Sequence, residues 1–217
     1  MGFWSSRSKR EKGQSPPPCS SYVRSWADAK MEELKYTEEV SPENLFTGMM
    51  YILATFGKPD PRRKTSPELL DVAEHFSGDA SLFELGCYIY FRVDMWFFAN
   101  KPHLRERISR TFVREFVRLF SRALGVENLQ PIFTERVSKY RELARKGEDI
   151  ERYHFYLSQL ISRTKDNPLP EHYDWDHAPL NLKFFEDAGI KLELLTWEQA
   201  MMPALIESLK ECCSLMG

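Results

Sequence analysis

The residues best equipped for chemistry collect in one short run, Glu171-His172-Tyr173-Asp174-Trp175-Asp176-His177. Imidazole nitrogens and carboxylate oxygens are the ligand types of zinc, iron and manganese sites, so His172, Asp174, Asp176 and His177 form a candidate metal set. Pro168, Pro170 and Pro179 flank the run and make it a loop, the kind of segment that often carries function. No metal motif of fixed geometry matches it. It is neither the helical HExxH pair nor a calcium loop with its glycine and terminal glutamate. The plainer reading is structural: Tyr173 and Trp175 pack onto the body while the acids and histidines face water. That reading is preferred, and a divalent-metal enzyme built on this loop stands as an alternative.

Glu151-Arg152-Tyr153-His154 is a second candidate, because Glu-x-x-His puts both groups on one helix face, as in di-iron bundles. Such bundles use two copies, and the chain holds one helical copy. The preferred reading is a partly exposed histidine beside an ordinary surface glutamate.

A third feature is basic. On a helix over 103–124, Arg107, Arg110, Arg114, Arg118 and Arg122 fall within about 120° of one another. Ile108, Phe112, Phe116, Leu119 and Phe120 fill the opposite side. A guanidinium stripe is equipment for binding phosphates, nucleic acid or an acidic protein. It also makes an ordinary solvated face, paired to Glu106, Glu115 and the acids of the first helix (Asp28, Glu32, Glu33, Glu38, Glu39). Lys and Arg number 30 against 32 Asp and Glu, which removes the global case for nucleic acid and favours the solvated face.

Fourth come three charges inside the most apolar stretch, Glu84, Arg92 and Asp94. A buried ion is costly unless paired. Ser81 with Glu84 has capping-box spacing, which accounts for Glu84. Arg92 and Asp94 point about 160° apart on a helix, so each needs a partner elsewhere, and the arginine stripe is available to Asp94.

The N-terminus is the last candidate. Phe3 and Trp4 precede Arg7, Lys9, Arg10 and Lys12, a pattern suited to weak peripheral contact with an anionic membrane. Gly2 and Ser6 fit the permissive myristoylation pattern. A basic, proline-rich disordered tail over 1–18 is the preferred reading.

These groups have to be positioned by helices. Cap, glycine and proline signals mark helices over Ser21–Val40, Pro42–Phe56, Pro67–Phe76, Leu82–Ala99, His103–Leu124, Pro131–Lys146, Glu148–Thr164, Leu180–Ala188 and Thr196–Leu215. Gly189 separates the last two, Lys191–Leu195 is ambiguous, and Pro203 marks a kink or break. Leu82–Ala99 is apolar nearly all round, which places it in the middle of a bundle. The expectation is an all-α protein, an irregular multi-helix bundle of seven to nine helices around a central helix 82–99, with residues 19–217 as one domain.

Cys19, Cys87, Cys212 and Cys213 form no CxxC pair and no disulfide framework, and reduced thiols in a cytosol are expected. No apolar run is long enough for a membrane span. No nucleophile elbow, phosphate loop or dinucleotide fingerprint occurs. The leading functional expectation is therefore a non-catalytic helical interaction module with a protein partner and no cofactor. Nucleic acid is the less favoured ligand of the Arg107–Arg122 stripe.

Overall fold

The structure is a computed structural model that describes residues 21–35, 41–55, 76, 78–164, 167–169 and 182–216. It is all-helical among the described residues. The seven helices are α1 (Tyr22–Leu34), α2 (Pro42–Thr55), α3 (Asp79–Asn100), α4 (Pro102–Leu124), α5 (Gln130–Arg145), α6 (Ile150–Arg163) and α7 (Leu182–Met216). The helix expected over 67–76, apart from Phe76 itself, and the tail over 1–18 lie outside the described residues.

α3 is the hub, as its apolar circumference requires. It packs against α1, α2, α4, α5 and α6, and every residue from Leu82 to Phe91 is buried. Its last turn emerges at the rim, where Met95 is 39% and Phe98 60% exposed. The enclosed strip therefore ends before Ala99.

The α3–α4 contact is built from rings. Phe112, Phe116 and Phe120 recur every fourth residue on α4 and so share one face. Phe83 lies against Phe116 and Phe120, while Phe133 of α5 meets both Phe116 and Tyr90. Gly86 lets the helices close up: a Cβ there would lie 2.7 Å from Phe116 Cζ and 3.3 Å from Leu53 Cδ2. This is a position where the missing side chain is used for approach.

Lys101-Pro102 folds α4 straight back beside α3, with Pro102 at the first helical position, where no N–H is needed. Gly125 ends α4 at φ +67°, in the left-handed conformation that favours glycine.

Two local readings are corrected. Ser81 and Glu84 form no capping box, because the helix starts earlier, with Gly78 as its N-cap. Ser81 instead hydrogen-bonds Thr164 at 2.7 Å, and Asp79 accepts from the α1 backbone N–H groups of Tyr22 (3.0 Å) and Val23 (3.2 Å). The second correction is α7, which is one helix through Gly189 and Pro203. Ile190, Leu194, Glu198, Met202, Leu205, Leu209 and Cys213 are all buried, at spacings of three and four. Packing of that stripe outweighs the local breaking tendency of glycine and proline.

Cys87, Cys212 and Cys213 are free thiols. Among the described residues, no helix is long and apolar enough to cross a membrane.

Candidate functional site

Asp94 sits on the last buried turn of α3, its side chain 1% exposed. It accepts four hydrogen bonds: Arg105 Nε and Nη2 (2.8 Å each), Ser109 Oγ (3.0 Å) and Arg141 Nη2 (2.9 Å). Burial alone would raise its pKa. The bonds from Arg105, Arg141 and Ser109 overcome that and hold the carboxyl below its ordinary value. The external partner that Asp94 requires is thus present, but it is not the arginine stripe. Arg105 lies off the stripe, and Arg141 belongs to α5.

One carboxylate here braces two guanidiniums, which leaves one positive charge over. Both arginines line an open cleft of about 710 Å³ between α3, α4 and α5. Arg110 and Arg114 of α4 line it too, with Tyr90, Ser109, Gln130, Val113 and Pro102 as its neutral walls. Arg110 pairs with Glu106 at 2.6 Å, and Arg114 with Glu115 at 2.8 Å and Glu43 of α2 at 3.3 Å. These are exposed pairs of the kind that hold little energy and exchange readily.

All five stripe arginines are exposed, and the cleft recruits only Arg110 and Arg114 from them. Arg118 approaches Glu115 at 3.6 Å, and Arg122 donates to the Tyr22 hydroxyl of α1 at 3.3 Å. Arg107 is exposed at the start of the same row. The stripe is thus divided between a cleft half and a solvated half.

A second polar cluster lies on the other side of α3. Glu198 of α7 accepts from Tyr88 and Arg92 of α3 and contacts His154 Nε2 of α6. Arg92 also donates to the Tyr88 hydroxyl at 2.8 Å. His154 is fully buried rather than partly exposed, and Glu151 turns outward to Lys191 at 2.8 Å. The two members of the Glu-x-x-His pair therefore diverge. Burial first, then the nearby cations Arg92 and Lys191, push His154 down to about 4, with Glu151 opposing. The His154 Nε2–H faces the Glu198 carboxylate, and Nδ1 is left buried without a hydrogen-bond partner among the described residues. This cluster ties α3, α6 and α7 together.

Glu84, the third charge of the apolar stretch of α3, forms a buried pair with Arg136 of α5. Desolvation raises Glu84 to about 6 although Arg136 opposes the shift.

His172, Asp174, Asp176 and His177 lie outside the described residues. Among the described residues, no group of three or more His, Cys, Asp and Glu side chains is placed to hold a metal. Comparison with protein-family models, with characterised proteins and with solved structures finds no match to this chain.

Sequence reasoning passed over Arg105, Ser109 and Arg141. The available signal was Asp94 itself, whose charge demanded a cation, with Arg105 in the first turn after the Pro102 reversal. Glu198 carried a similar signal: an acid in an otherwise apolar three-and-four row, opposite a histidine in another such row.

Proposed function

We propose that this chain is a non-catalytic helical interaction module that binds an anionic segment of a partner protein in the cleft between α3, α4 and α5. The observation that carries this reading is the sharing of Asp94 between Arg105 and Arg141. A purely structural pair needs one guanidinium, and the second is surplus charge held rigidly at the cleft. Arg110 and Arg114 add charge whose present partners are exposed and easily displaced. Preorganised guanidiniums lose little freedom on binding, which favours recognition over non-specific attraction. The cleft is open, and its walls include Pro102 and Val113, so a polypeptide can lie along it with apolar contacts beside the charged ones.

The test is binding of two labelled peptide libraries, one anionic (glutamates and phosphoserines) and one neutral, to the wild type and to Arg110→Gln/Arg114→Gln. The reading expects selective retention of the anionic library and a loss of about tenfold or more in the variant, since charge-assisted contacts contribute about 1.5–3 kcal/mol each. Equal retention of both libraries, or no loss in the variant, contradicts it.

A further inference from the structure

The cations of the cleft are all guanidiniums. Arg105, Arg110, Arg114 and Arg141 line it, and no lysine does among the described residues. A guanidinium presents a planar fork of donors, which matches the oxygens of phosphate two at a time. Asp94 has already filled its own acceptor positions with four hydrogen bonds, so it fixes Arg105 and Arg141 and has little left to compete with a ligand. Arg141 spends only Nη2 on Asp94, and Arg105 spends Nε and Nη2, which leaves donors on both.

Charge sets the class of anion. Arg105 and Arg141 against Asp94 leave +1, while Arg110 and Arg114 are neutralised by Glu106, Glu115 and Glu43 until those glutamates are displaced. A phosphate monoester carries about −1.5 to −2 near neutrality, whereas a side-chain carboxylate carries −1 and a phosphodiester −1 per phosphate. A partner carboxylate would only exchange one carboxylate for another on Arg110 and Arg114, whereas the monoester brings more charge and three oxygens to a single point and so competes with their glutamates. Nucleic acid fits less well on a second ground. Single strands are usually held by aromatic faces on which bases stack. Tyr90, the ring in the lining, is covered by Phe112 and Phe133.

We infer that the anion recognised in this cleft is a phosphorylated serine or threonine of the partner segment. The inference rests on the anionic-segment reading above and narrows it. Arg105 and Arg141 form the braced half of the phosphate site. Arg110 and Arg114 close the other half by exchanging Glu106, Glu115 and Glu43 for phosphate oxygens.

The experiment uses the full chain and three degenerate peptide sets that differ only at the centre: phosphoserine, glutamate or serine. Anisotropy is read against pH for the wild type, for Arg110→Gln/Arg114→Gln, for Arg141→Gln, and for Arg118→Gln/Arg122→Gln. The phosphoserine set is expected to bind about tenfold or more tighter than the glutamate set. Its affinity should fall as the pH drops through about 6, where the monoester takes up its second proton. The two cleft variants should lose this preference, and Arg118→Gln/Arg122→Gln should keep it. Arg110 and Arg114 are exposed, so their variant reports binding without a folding defect even if Arg141→Gln fails to fold. Glutamate binding as tightly as phosphoserine overturns the phosphate assignment and leaves the anionic-segment reading standing. Binding of no set overturns both. An oligonucleotide that displaces the phosphoserine set at lower concentration than free phosphoserine peptide does also overturns the assignment.

Discussion

Arg136 of α5 holds Glu84 of α3 at the centre of the bundle, its Nε 3.2 and 3.0 Å from the two carboxylate oxygens and the side chains 2% and 0% exposed. Such a pair must offset the loss of water around both ions, so removing one partner costs far more than removing both. Arg136→Met alone should destabilise the protein by about 3–5 kcal/mol. Glu84→Gln/Arg136→Met should recover most of that. Urea unfolding of the two variants decides the matter, and a single variant as stable as the double would mean that the pair is not closed to solvent.

The same carboxyl and His154 make opposite contributions to the pH dependence of stability. Glu84 is raised from 4.5 to about 6, so across that window the native state holds more protons than the unfolded chain and stability falls as pH rises. His154 is lowered from 6.5 to about 4, so between those values the unfolded chain holds more protons and stability climbs as pH rises. In the wild type the two slopes oppose each other. Glu84→Gln/Arg136→Met should therefore climb more steeply from pH 4 to 6.5 than the wild type does. His154→Gln keeps an amide donor for Glu198 and should instead decline between pH 4.5 and 6. Urea midpoints at half-unit pH intervals give both slopes. Parallel profiles in all three proteins would rule out this assignment.

Gly86 tests the closeness of α3 and α4. An alanine is the better helix former by about 1 kcal/mol. Its methyl, however, would meet the Phe116 ring 2.7 Å from Cζ, and overpacking of this kind costs about 1–3 kcal/mol or more. Gly86→Ala should lower the melting temperature, and Gly86→Ala/Phe116→Leu should restore part of it. A gain in stability from the single substitution would show that the two helices are free to separate.

The fold was largely legible because its signals are local. Leu82–Phe91 has no side fit for water, and Pro102, Gly125 and Gly147 punctuate the chain where the helices do end or begin. Where the reading failed, a tertiary demand outweighed a local one. Gly189 and Pro203 look like breaks, yet the buried row from Ile190 to Cys213 holds α7 together across both. Ser81 and Glu84 have the spacing of a cap, yet Arg136 claims the glutamate. His154 follows Glu151 at a metal-pair spacing, but it also shares a face with the buried Leu157 and Ile161, and that neighbourhood decides its fate. The cleft was only half legible. Periodicity on α4 finds Arg110 and Arg114 because they are turns of one helix. Arg105 and Arg141 join them only through Asp94, a relation among three helices that no single-helix period encodes.

The most direct measurement follows the arginine Nε–H resonances of the full chain by NMR while a phosphoserine peptide is added. Saturable shifts confined to Arg105, Arg110, Arg114 and Arg141, with Arg107, Arg118 and Arg122 unmoved, are the predicted result. Shifts spread evenly along the row from Arg107 to Arg122, with Arg105 and Arg141 silent, would contradict it.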